Sequence, residues 1–262
     1  MYDLIDECGA DLEGLGYKTK TIKKFGISIS SIDIKDEKDN EKLGLEKGKY
    51  YILNCPNFYD YSLNCSEYII GLLSKQLTKL LEELNVKQKT RILIVGLGNP
   101  NIFCDRLGKE VFDKVNIDVL NKENNCFKVC PDIYFSTGIK TMDIVDMLVK
   151  SLKIDIVLLI DSLMTNSISR LGCSFQITTS GITPGSGVNR FGKKISAKNI
   201  GVPCISLGVP FMILGKDLNN KSKKDLILVS KDIQNNVELI GYIFAETINN
   251  ALKEVKKWIT IC

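Results

Sequence analysis

The sequence predicts an α/β fold, a mostly parallel sheet flanked by helices, in a single domain over residues 1–262 with a small antiparallel β extension over residues 20–60. Three observations predict it. Short, continuously apolar runs at 91–96, 154–161 and 203–208 end in glycine or aspartate, the signature of strands buried on both faces. Segments of helical period lie between or beyond them. Hydrophobic residues make up 44 % of the 262-residue chain, enough for one substantial core.

Taken in order, residues 27–34 nearly alternate apolar and polar, and 49–54 are rich in β-formers. The charged, turn-prone stretch 35–47 separates them, so they read as an antiparallel pair. Asn64 and Glu67 have capping-box spacing at the head of a helix over 65–84, on which Ile69, Ile70, Leu73, Leu77, Leu80, Leu81 and Leu84 recur. After the strand at 91–96, a helix over 141–152 presents Ile144, Val145, Leu148 and Leu152 on one face, as a crossover to the strand at 154–161. The strand at 203–208 precedes a polar surface loop, 216–225. Asn235 then caps a final helix with an apolar stripe of Val237, Ile240, Phe244, Ile248, Leu252 and Val255, and Lys253, Lys256 and Lys257 suit its negative end.

Composition removes several kinds of chemistry. There is no histidine, which excludes serine–histidine triads, cysteine–histidine dyads and histidine-ligated metals. Nine cysteines, an odd number without paired short spacings, read as reduced thiols, and Cys126 with Cys130 as ordinary loop cysteines. The net charge of +4 is spread along the chain, which argues against a nucleic-acid partner. No apolar run approaches the roughly 20 residues of a membrane-spanning helix, and the acidic start lacks a basic leader, so the expected setting is cytoplasmic, without a membrane partner.

In open α/β sheets, ligands bind beyond the carboxyl ends of the strands. Three segments are predicted to meet there. The first, 96–108, carries Gly98, Asn99 and Asp105, and has Asn101 where a dinucleotide fingerprint needs its third glycine. The second ends the run at 154–161 with Asp161, which reads either as a helix cap or as a functional carboxylate. The third, 178–194, holds Gly181, Gly185, Ser186 and Gly187 among hydroxyls and basic residues, the composition of an oxyanion or substrate loop and equally of a surface turn. Two carboxylates in one partly dry crevice divide into an acid and a base toward water; alternatively, both hold a divalent metal through oxygen alone.

These segments also carry a resemblance. Gly96-Leu-Gly-Asn with Asp105-x-Leu-Gly108, Thr137-Gly-Ile-x-Thr-x-Asp143, and Ile160-Asp-Ser-Leu with Ser167-Ile-x-Arg170 occur in that order. Gln176-Ile-x-x-x-Gly-Ile-x-Pro-Gly-Ser-Gly-Val188, Ile195-Ser, Gly201-Val-Pro and Gly208-Val-Pro210 follow. Together they resemble the germination protease family of spore-forming Firmicutes. The resemblance implies a twisted sheet between helices, like that of the hydrogenase-maturation proteases. It also implies an endopeptidase that initiates degradation of small acid-soluble spore proteins in the forespore or spore core, working as a homotetramer; no cofactor is expected unless the two carboxylates hold a divalent metal. Asp105 and Asp161 match the family's essential aspartates, and Gly98, Asn99, Gly181, Gly185, Ser186 and Gly187 are the candidate substrate contacts.

The chain departs from the family pattern at Thr179 and Thr183, which stand for an aspartate and a histidine, and at Arg106 and Lys109 beside Asp105. These changes support a second reading, a catalytically inactive or regulatory sporulation paralogue that binds a protein partner. The start at Tyr2-Asp3-Leu4 resembles the family's propeptide-cleavage neighbourhood, so a member without a full prosegment, and without the long insertion toward the C-terminus, is expected.

Overall fold

The computed structural model describes residues 17–35, 46–60, 62–117, 125–185, 192–215 and 226–257. The chain start, most of the 35–47 stretch, Ser186, Gly187 and the loop 216–225 lie outside the described residues.

Strand β1 (Lys18–Ile22) turns back into β2 (Ile27–Ile34) through Phe25 and Gly26, both with left-handed φ, near 60°. β3 (Gly48–Asn54) pairs antiparallel with β2 in the register Ser28 to Asn54 through Ile34 to Gly48, as the alternation predicts. Helix α1 (Ser62–Glu83) leads to β4 (Ile92–Gly96), a 3-10 turn (Phe103–Asp105) and α2 (Leu107–Lys114). Then come β5 (Cys126–Val129), α3 (Tyr134–Thr137), α4 (Thr141–Ser151), β6 (Ile156–Thr165) and β7 (Ser174–Thr178). The chain continues through α5 (Ala197–Ile200), β8 (Cys204–Leu214), β9 (Ile227–Leu228) and α6 (Ile233–Lys257).

The strands form one mixed sheet in the order β1-β2-β3-β7-β8-β6-β4-β5, with β9 added to β8. Its β8-β6-β4-β5 half is parallel, and every pairing on the β7 side is antiparallel. The antiparallel extension is thus no appendage, because β3 joins β7 and β7 joins β8.

Helices cover both faces. The larger core packs α1, α2 and α6 on one face through Leu73, Leu77, Val111, Ile240, Phe244 and Ile248, all buried. Phe58, Phe175 and Phe244 form an edge-to-face row with centroids 5.7 and 6.0 Å apart, linking β7 to α6. On the other face, Val145 and Val149 of α4 and Ile200 of α5 close over Leu93, Val95, Val157, Leu159 and Cys204.

Both predicted caps are misplaced. Asn64 lies inside α1, which begins at Ser62, and Asn235 lies inside α6, which begins at Ile233. Packing moves the second boundary: Ile233 lies against the core, so burial extends the helix past its local cap signal. Leu84 falls beyond α1 and is exposed. Two strands run further than their sequence punctuation suggests. β6 and β8 stay paired as far as Thr165 with Ile213, although β4 stops at Gly96 opposite Ile160.

Candidate functional site

The early end of β4 sets the site. Where β4 leaves the sheet, β6 loses its neighbour on that side, and the first residue beyond the pairing is Asp161. Asp161 is therefore not at the end of its own strand but at the end of its neighbour's, buried at 5 % exposure. Its Oδ1 accepts a hydrogen bond from the Ser162 amide at 2.9 Å. By strand alternation it shares the face of Val157 and Leu159, which α4 covers.

The loop leaving β4 is pinned on both sides of Asp161. The Leu97 amide donates to the Ile160 carbonyl at 2.8 Å, and the Leu107 amide approaches Ser162 Oγ at 3.4 Å. Between these anchors the chain must fold back tightly, and glycines make that possible. A Cβ on Gly96 would lie 2.2 Å from the Gly108 carbonyl oxygen, and one on Gly108 would lie 2.3 Å from the Leu97 amide nitrogen. Gly98, at φ 98°, would put a Cβ 1.9 Å from the Asp105 carbonyl oxygen. The Asn99 amide donates to Asp105 Oδ2 at 3.0 Å. The Gly-x-Gly-Asn motif is thus a cradle that fixes the position of the Asp105 carboxylate.

Asp105 opens onto a cleft of about 480 Å³, with Gly98, Asp132, Ile133, Tyr134, Phe135, Lys140, Thr141, Met142, Pro184, Gly185, Gly192 and Lys193 in its wall. Of the candidate residues, Gly98, Asp105 and Gly185 meet here; Asn99 sits directly behind Asp105. Asp161 is in the sheet floor rather than the cleft wall. Gly181 supports the third segment from below. Its φ is 83°, and a Cβ would lie 2.2 Å from the Ile195 carbonyl oxygen, where Ile182 and Ile195 pair antiparallel at 2.9 and 2.8 Å.

Two of the departures from the family pattern take structural roles. Thr179 ties the loop to β3, its Oγ1 accepting from the Lys49 amide at 2.9 Å. Arg106 turns from the cleft to Glu110, with Nη2 2.6 Å from Oε1.

Sequence reasoning missed Asp132, the aromatic pair Tyr134 and Phe135, and the rim lysine Lys140, whereas Lys193 belongs to the predicted 178–194 segment. Asp132 follows the four-residue strand β5, at the carboxyl edge where ligands bind, and holds a left-handed φ of 64°. The signal was Pro131-Asp132, obscured because β5 is too short to read as a strand.

The thiols near the cleft are not activated. Burial, followed by the charge of Asp105, pushes the Cys104 pKa up, and burial does the same for Cys130. A nucleophilic cysteine requires the opposite shift. Among the described residues no three Cys, Asp or Glu side chains are grouped to hold a metal ion.

Sheet and cleft together define an α/β protein with two backbone-held carboxylates, Asp105 and Asp161, at the step in its sheet edge. Comparison with known proteins narrows that class. The profile of the germination protease family matches residues 4–222, and the chain belongs to that family. It is 32 % identical over 213 residues to the germination protease of Oceanobacillus iheyensis, a match covering 78 % of this chain and 57 % of that protein. The germination protease of Clostridium acetobutylicum is 31 % identical over 208 residues, covering 76 % of this chain and 64 % of that protein. The chain therefore spans less than two thirds of the length of these two relatives. A Clostridium perfringens germination protease matches at 28 % identity over 258 residues, covering 94 % of this chain and 76 % of that protein. The solved hydrogenase maturation protease HycI of Thermococcus kodakarensis superposes with a TM-score of 0.36 at 20 % identity, over 61 % of this chain and 93 % of that one, too loosely to bear on function.

Proposed function

We propose that the chain is an endopeptidase that begins the degradation of small acid-soluble spore proteins at germination, with Asp105 and Asp161 activating water. The observation that carries this reading is the double anchoring of the 97–107 loop on the residues either side of Asp161, which brings Asp105 to the same strand edge. In the proposed reaction one carboxylate takes a proton from water as the oxygen attacks the scissile carbonyl. The other carboxyl gives its proton to the departing amine nitrogen, so the pair ends with its proton exchanged. In this proposal the peptide runs past Gly98 and Gly185 in the cleft wall, which Asn99 and Gly181 support from behind, and Ser186 and Gly187, outside the described residues, are the further candidate contacts.

Membership of the family supports the spore-protein substrate, and with it the homotetramer and the forespore or spore-core setting. No described helix is long and apolar enough to cross a membrane. The test is cleavage of a purified small acid-soluble spore protein by wild type, Asp105→Asn and Asp161→Asn. Each variant should fold with an unchanged circular dichroism spectrum and lose about 10³-fold in kcat, the scale of a lost acid or base. Undiminished cleavage by both variants would sink the proposal.

A further inference from the structure

Helix α2 carries a buried carboxylate that the proposed chemistry does not use. Glu110 is only 6 % exposed, and its position is fixed from two directions. On α2 it receives Arg106 Nη2 on Oε1 at 2.6 Å and Lys114 Nζ on Oε2 at 2.5 Å. Across the helix interface it packs on the bare backbone of α6 at Gly241, where a Cβ would fall 2.6 Å from the Glu110 Cβ. The side chain thus has little freedom to leave Arg106.

Arg106 is the residue directly after Asp105, and a guanidinium is charged under all working conditions. A cation that neighbours Asp105 in the chain would, if paired with it, hold a proton-taking carboxylate in its ionised form and block it. Instead Arg106 pairs along the first turn of α2 with Glu110. Its guanidinium lies 5.4 Å from the Phe103 ring centroid, and its Nε is buried without a hydrogen-bond partner. A buried donor left unmade is costly, so the ion pair with Glu110 must offset that loss. One turn of helix between residues 106 and 110 supplies the spacing at which such pairs form.

We propose that Glu110 is a positioning residue for Asp105: by holding Arg106 on α2, it keeps the guanidinium off the Asp105 carboxylate. The inference rests on the reading of Asp105 as part of the reacting pair. It explains how a cation can stand next to that aspartate without disabling it. Removing the Glu110 charge while keeping its shape leaves Arg106 without an anion, and the adjacent carboxylate becomes its partner.

The experiment compares wild type with Glu110→Gln, Arg106→Ala and the double variant, by steady-state cleavage of a spore protein and by crystal structures of each. In Glu110→Gln the Arg106 guanidinium should move onto Asp105, and kcat should fall roughly 10²-fold at similar KM, since proton transfer rather than binding is disturbed. Adding Arg106→Ala should restore kcat to that of Arg106→Ala alone. A merely structural role for Glu110 gives no such rescue, so failure of rescue overturns the inference. So does a Glu110→Gln structure in which Arg106 stays against residue 110. If wild type cleaves nothing, the proposed function fails, and the position of Arg106 in the variant still decides the role of Glu110.

Discussion

The two halves of the sheet differ in burial and in where their strands stop: β1 is exposed from Lys18 to Thr21, whereas β4 and β6 are buried throughout. On the antiparallel side β1, β2, β3 and β7 lie side by side, each pair in continuous register. On the parallel side β4 ends while β6 and β8 run on, so the edge has a step. Into that step fold the glycine cradle, Asp105 and the start of the cleft. Strand polarity alone does not make a site; unequal strand length, covered by a loop that must return over the sheet, does.

The comparison predicts that the halves fail in different ways. The largest expected effect is on stability, from the antiparallel half. Phe175 on β7 is fully buried in the row between Phe58 and Phe244, so Phe175→Ala should cost about 3–5 kcal/mol. Urea unfolding measures it, and the variant that remains folded should keep its kcat. A proportionate loss of kcat would show that the halves are not separable.

The next effect belongs to the step. Gly98→Ala forces a methyl group into the Asp105 backbone, and a displacement of about 1 Å is enough to lower kcat by roughly 10²-fold. Gly26 provides the contrast, since it has a similar left-handed φ of 63° but nothing within 4 Å of its would-be Cβ. Gly26→Ala should cost only about 1–2 kcal/mol and leave cleavage intact. Equal effects on kcat would remove the distinction between a glycine needed for conformation and one needed for close approach.

Much of this contrast was legible in the sequence, and what was not is instructive. Runs such as Ile156 to Ile160 are apolar on both faces, so their place in the buried sheet follows from composition. The stripe on α6 is equally direct, because all six of its predicted residues are buried. Asp161 and Gly208 were read as strand ends because a charge and a glycine usually interrupt strands. Here the neighbouring strands keep the ladder going through both, a long-range pairing that no local pattern records. The same limit applies to β7, whose Gln176 and Thr178 are polar but buried against β3 and β8. Asp105 and Gly98 could be picked out as candidates, but their contact depends on the chain doubling back between Leu97 and Leu107. Nothing in the local sequence marks Glu110 as buried, because its burial depends on the approach of Gly241 of α6.

The central claim is that Asp105 and Asp161 act on one water molecule as a unit. Single-turnover cleavage of a spore protein by Asp105→Asn, Asp161→Asn and the double variant tests it most directly. A unit predicts that the double variant is no slower than the poorer single variant, because either substitution already abolishes the shared proton transfer. Losses that multiply, with both single variants still measurably active, would contradict the account.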